Sequence, residues 1–303
     1  MAFLELLMQI RHPVLDYLFL GISNIGNPVI LIGLIAWVYI NVDKNKGCGM
    51  AFAMFLTGCL SQGAKLIFRI PRPWILESDT SVFAPVPMAL STATGYSFPS
   101  VHMQATTAFT EAAFLYTRKK RIRFLSVAFL LLLAFSRMYL GVHTPTDILG
   151  AFAMTAFFTA VTVFGWNKAY KTHRSDEVFV FITFGFAAVL LFLGISLVLN
   201  GTVEFALAKD SYKIAGASLG YAAAFLLERF SVRFSTEGTP LVKFVRFLIL
   251  LAGFLLLNTV TKPFLDTTPA GVVIRYILIV FWMFGFGPWC CMKTGLLKKA
   301  SRL

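Results

Sequence analysis

Charge is scarce in this chain. Only 14% of its 303 residues are Asp, Glu, Lys or Arg, against about 25% in a soluble globular protein. Acidic residues are the scarcer sign, 14 against 27 basic ones, for a net charge of +13. Cysteine occurs four times, at Cys48, Cys59, Cys290 and Cys291, and no pair has zinc-ligand spacing with histidines. That argues against a thiolate metal site and predicts free thiols. No long polar stretch, internal repeat or low-complexity tract interrupts the chain, which leaves no segment for a separate soluble domain. The first residues hold Glu5 and Arg11 among apolar neighbours and lack a small-residue cleavage site, so no cleavable signal peptide is expected.

What fills the chain is apolar. Hydrophobic residues make up 58%, with 32 phenylalanines, and the mean hydropathy is +0.77. The fold class expected is all-α, a polytopic membrane helical bundle. Residues 1–24 contain Glu5, Arg11, Pro13 and Asp16 and are expected to form an amphipathic helix at the membrane interface. About nine transmembrane helices should follow, near 25–42, 48–68, 100–117, 123–140, 146–166, 178–199, 211–230, 243–260 and 271–290, each close to the ~20 residues a bilayer core requires. A core of six spans (25–199) then precedes additional helices and a basic tail (200–303).

The net positive charge does not indicate nucleic acid, because the basic residues sit in short clusters between apolar runs. Clusters at 44–46, 118–123, 168–174, 229–246 and 293–302 hold 18 of the 27. Counted as cytoplasmic, they place the amino terminus outside and the carboxyl terminus inside. The expected location is a multi-pass protein of a bacterial inner membrane.

Three segments stand out against this background: Lys65-x6-Arg72-Pro73, Pro99-Ser100-Val101-His102, and Ser136-Arg137-x5-His143-x3-Asp147. Under that topology all three fall on the extracytoplasmic side, where charges at bilayer depth mark a functional site. Singly each has a plain structural reading, such as snorkelling cations for Lys65 and Arg72. Together they offer three fixed cations, two histidines and one carboxylate. Arg gives phosphate oxygens bidentate hydrogen bonds and Lys a point charge. Ser100 opens a helix whose free N–H groups suit an anion. His143 and Asp147, four apart, can share a helical face, letting the carboxylate orient the ring. Cations outnumber carboxylates, which favours an anion over a divalent metal.

This ordered set resembles the signature of the type 2 phosphatidic acid phosphatase family, integral membrane phosphatases that share their site with vanadium haloperoxidases. The likeness covers roughly residues 50–165. It implies that His143 is a nucleophile forming a phosphohistidine, that Asp147 orients it, and that His102 is the general acid and then the base. It further implies that Lys65, Arg72, Ser100 and Arg137 bind the phosphate, with no metal or other cofactor. Val101 departs from the pattern, standing where the family has Gly, and a branched side chain there should narrow the pocket. Sphingosine-1-phosphate phosphatases replace the same Gly with Thr. The span count is similar to that of glucose-6-phosphatase and of the sphingosine-1-phosphate enzymes.

A phosphorylated lipid and the membrane are the partners expected, with no nucleic acid, and with self-association as a further option. An apolar loop carrying Trp74, Ile75, Leu76, Phe83, Met88 and Leu90 favours a lipid substrate. A soluble sugar phosphate, or a non-enzymatic anionic-lipid transporter, is the alternative. In the additional helices, Glu228, Asn258, Lys262, Asp266 and Arg275 are expected to serve packing or dimerisation.

Overall fold

A computed structural model describes residues 2–76, 84–172 and 176–300; Phe83 of the apolar loop lies outside them. Thirteen α-helices run in order: α1 (Ala2–Gln9), α2 (Pro13–Ile25), α3 (Pro28–Asn41), α4 (Lys44–Phe68), α5 (Pro73–Leu76), α6 (Val101–Tyr116), α7 (Lys120–Tyr139), α8 (Pro145–Thr172), α9 (Asp176–Leu199), α10 (Phe205–Leu227), α11 (Pro240–Leu265), α12 (Pro269–Phe281) and α13 (Gly287–Lys293). Five-residue π-turns follow α10 and α12. Proline stands at the start of α2, α3, α11 and α12, where its missing N–H costs no bond.

All nine expected spans appear as helices, but fewer are membrane-spanning by length and composition. Among the described residues, six helices are long and apolar enough to cross a bilayer, or seven if α2 and α3, bent by 46°, count as one span. α6 is only 16 residues long. α10 carries Lys209, Asp210 and Lys213 near its start. Both are deeply buried helices, clad by their neighbours instead of lipid, so neither has to read as a continuous apolar run.

The amino-terminal segment also differs from the single interfacial helix expected. α1 and α2 are separate, and both dock on α7. Leu4 and Leu7 are buried in a cluster with Trp74, Phe135 and Met138. Phe19 stacks near Phe135 and Tyr139. The charges that suggested an interface are used internally: Arg11 donates to the carbonyls of Ala84 and Tyr139, and the Tyr139 hydroxyl donates to Asp16 at 2.9 Å.

At the core, α4 is packed by α3, α6, α8, α9 and α10. Phe52 lies within ring-contact distance of Trp166, Phe179, Tyr221 and Phe225. The end of the bundle holding the start of α4 is tied by polar bonds. Lys44 pairs with Glu228 at 2.7 Å, and Arg246 donates to the carbonyls of Leu296 and Glu237. Near the opposite end, Asp266 pairs with Lys209 and Arg275, and Arg275 also reaches the Asn258 amide oxygen. Of the five polar residues singled out in the additional helices, Glu228, Asn258, Asp266 and Arg275 are thus bonded within the chain. All four cysteines are free.

Candidate active site

Each of the three motifs sits where a helix ends or begins. α4 is closed by Arg69 in the left-handed conformation (φ 49°), whose N–H bonds the Lys65 carbonyl. Pro71 then keeps the chain from continuing the helix and Pro73 opens α5, which leaves Arg72 in the turn between them. Ser100 caps α6 through its hydroxyl, which accepts the Met103 N–H at 3.5 Å, and its own N–H donates to the Asp147 carbonyl. α7 ends just after Arg137, and α8 begins at Pro145, so His143 occupies the intervening turn and Asp147 the first turn of α8. Val101 is the first residue of α6 and does not need a positive φ. Val101 also lines the cavity.

These turns converge. Arg72, His102 and His143 line one cavity, while Lys65, Ser100, Arg137 and Asp147 are buried without lining it. His143 Nδ1 lies 3.4 Å from Asp147 Oδ2, and its Nε2 lies 3.0 Å from Arg72 Nη1. The carboxylate therefore favours a proton on Nδ1 and leaves the Nε2 lone pair facing the guanidinium. The same Asp147 Oδ2 accepts the Ser97 hydroxyl at 2.6 Å and the Thr144 N–H at 2.8 Å. Burial, and next the cations Arg72, Arg137 and Lys65, hold the His143 imidazole well below the ordinary histidine pKa.

The three cations are not equally committed. Lys65 donates to the carbonyls of Tyr96 and Ser97. Arg72 holds three more carbonyls, those of Gly95, Val142 and Thr94, at 3.1, 3.0 and 2.7 Å. Arg137 donates one nitrogen to the hydroxyls of Ser23 and Thr92, whereas its Nε and Nη2 are buried with no partner among the described residues. His102 Nε2 is likewise buried with no partner among them. Free donors on a buried guanidinium, near two histidines whose rings it influences electrostatically, are of the kind that would suit an anion with several acceptor oxygens.

Several participants carry no sequence signal. Ser23 arrives from α2 and Thr92 from the long loop. Thr94 donates to Asp210 at 2.7 Å, and Asp210 also pairs with Lys213 at 2.7 Å. Because the Thr94 carbonyl binds Arg72, α10 braces the motif arginine through one loop residue. Within the apolar loop, Trp74 turns inward, with Arg72 over its ring at 5.8 Å. Ile75, Met88 and Leu90 are exposed.

Comparison with known proteins adds two family matches. Residues 46–171 match the model of the PAP2 superfamily, and residues 212–301 that of its phosphatase transmembrane extension. The chain is 30% identical over 172 residues to mouse (Mus musculus) sphingosine-1-phosphate phosphatase 2, covering 54% of this chain and 46% of that protein. It is 30% identical over 179 residues to phosphatidylglycerophosphatase B of Bacillus subtilis, covering 54% of this chain and 81% of that protein. The match thus spans under half the length of the mouse relative. No solved structure matches at comparable significance.

Proposed function

Because this chain belongs to the PAP2 superfamily, we propose that it hydrolyses a lipid phosphate monoester or pyrophosphate through a phosphohistidine on His143. The observation that carries the reading is the His143 ring. Its Nδ1 faces Asp147 and its Nε2 points at Arg72, inside a pocket that His102 also lines. The Nε2 lone pair attacks phosphorus as the bond to the leaving oxygen breaks, and His102 hands that oxygen its proton. His102, now neutral, takes a proton from water. The water oxygen then attacks phosphorus, the P–N bond breaks, and inorganic phosphate leaves. Covalent catalysis divides one difficult displacement into two easier ones. Arg72, Arg137 and Lys65 offset the charge on the phosphoryl oxygens, with Ser100 at the helix start beside them.

The basic clusters remote from the site support an extracytoplasmic active site and a cytoplasmic carboxyl terminus. The relatives named for lipid phosphates support a lipid substrate. A panel of phosphatidic acid, phosphatidylglycerophosphate, sphingoid-base phosphate, undecaprenyl pyrophosphate and glucose 6-phosphate, with His143→Ala protein as the blank, tests the assignment. Release above the blank from a lipid is expected. Release from glucose 6-phosphate alone would overturn the substrate class.

Two further outcomes follow. Vanadate, which mimics the five-coordinate phosphoryl transition state, should inhibit, and EDTA should leave the rate unchanged. Strong loss with EDTA would overturn a mechanism whose charge is supplied by three side-chain cations. Asp210→Ala should lower kcat/KM about tenfold, on the principle that small displacements of a positioning group are costly, with helix content by circular dichroism unchanged. An unaltered kcat/KM would mean that the Thr94–Asp210 bond does not brace Arg72.

A further inference from the structure

The cavity that reaches His143 does not end there. Its volume is about 630 Å³, within the roughly 300–1,000 Å³ range of small-molecule sites, and most of its wall comes from outside the three motifs. Polar groups cluster at the catalytic end, where Asp210 and Lys213 of α10 join Arg72 and the two histidines. Beyond them the wall is apolar, and three helices of the carboxyl-terminal extension each present one stripe to it. On α10 the stripe continues through Ile214 and Ala217; on α11 it is Phe247, Leu251 and Phe254; on α12 and the π-turn that follows it, Tyr276, Ile279, Val280 and Met283. All follow the three-and-four spacing of a single helical face, and each runs about 10 Å along its helix.

The opposite wall is α3. Trp37 packs edge-on against Phe247 at 5.2 Å, and the Asn41 amide donates to the Lys243 carbonyl at 3.0 Å, so α3 and α11 meet at the end away from His143. Between that contact and the site, Ile30, Leu34 and Leu251 line the cavity and are exposed. Exposed apolar residues of α3 and α11 thus flank the cavity, as a sideways opening toward lipid would require.

Resting on the phosphatase reading above, we propose that α3 and the extension helices α10–α12 form a slot for the hydrocarbon chain of the substrate. The chain enters from the bilayer between α3 and α11 and brings its phosphate against His143. Lipid tails are as apolar as the slot, so entry gains little hydrophobic free energy. The slot acts by shape and by fixing where the phosphate lies.

Gly33 offers a way to close it. The residue lines the cavity, and a side chain added there meets no atom within 4 Å, so Gly33→Phe fills the slot without a backbone clash. Gly185 on α9 is exposed and equally unobstructed, which makes Gly185→Phe the matched control. The preference for hexadecyl phosphate over p-nitrophenyl phosphate, as a ratio of kcat/KM values, should fall about 10- to 100-fold in Gly33→Phe and stay unchanged in Gly185→Phe. An unchanged ratio in both, or an equal fall in both, would overturn the slot while leaving the phosphatase assignment standing.

A second measurement does not depend on turnover. His143→Ala protein in vesicles is irradiated with hexadecyl phosphate carrying a diazirine at its chain end. Labelling should fall on peptides of α3 and α10–α12 and disappear when Gly33→Phe is added. Labelling confined to the exposed faces of α8 and α9, indifferent to Gly33→Phe, would overturn the proposal even if the phosphatase reading itself failed.

Discussion

His143→Ala protein should release phosphate at least ~10⁴-fold more slowly than the parent chain, the scale on which losing an attacking nucleophile is felt. The reason is local. His143 is nearly fully buried, and its only acidic neighbour within ion-pair distance among the described residues is Asp147. Water cannot replace the ring in line with the leaving group without also losing the lone pair that Asp147 directs. The substitution removes the ring's bond to the Ser97 backbone but leaves the main-chain bonds of the turn, and Arg72 retains the carbonyls of Gly95, Val142 and Thr94. The fold should therefore persist, and purified protein should keep its thermal midpoint within a few degrees. A rate within tenfold of the parent would mean that a different group attacks phosphorus.

Asp147 is expected to show two separable effects. Two donors bond its Oδ2, the Ser97 hydroxyl and the Thr144 N–H, and His143 Nδ1 lies 3.4 Å from the same oxygen. In Asp147→Asn the amide oxygen can occupy the same position and keep both bonds, so only the charge is lost. In Asp147→Ala both donors lose their acceptor, and unpaired buried donors cost roughly 1–3 kcal/mol each. The Asn variant should lower kcat by about 10²–10⁴-fold, as loss of an orienting carboxylate does elsewhere, with little change in stability. The Ala variant should lose at least as much rate and also melt earlier. Equal stability of the two would contradict the convergence on Oδ2. Full activity of the Asn variant would remove the carboxylate from the mechanism.

The seven candidate residues were legible because charge is conspicuous in an apolar chain. Lys65, Arg72, His102, Arg137, His143 and Asp147 stand out there, and their order and spacing could be checked as a set. Ser100 could be placed because it follows a proline and precedes a helical run. The residues that hold this group in position were not legible. Ser23, Thr92, Thr94 and Ser97 are single hydroxyls without periodic context, and hydroxyl residues are common in membrane helices and loops alike. Asp210 had the right chemistry but lies more than sixty residues after Asp147, and only the packing of α10 brings it to Thr94.

Architecture followed the same division. Nine helices could be read from apolar runs, but hydropathy cannot distinguish a span facing lipid from one sheathed by protein, which is why α6 and α10 fall short as membrane spans. The breaks between α1, α2 and α3 depend on Pro13 and Pro28 at helix starts and on docking against α7. Arg11 and Asp16 gave an interfacial reading because their partners at Ala84 and Tyr139 are far away in sequence.

The central claim is that phosphate passes through a covalent bond to His143, and rapid chemical quench tests it most directly. The purified membrane protein is mixed with a lipid substrate carrying labelled phosphate and stopped in alkali within milliseconds. Its peptides are then sequenced by mass spectrometry under alkaline conditions. The account predicts label on the peptide containing His143, stable to alkali, released by acid, and absent from His143→Ala protein. Turnover with no label on that peptide at any quench time, or acid-stable label on another residue, would contradict it.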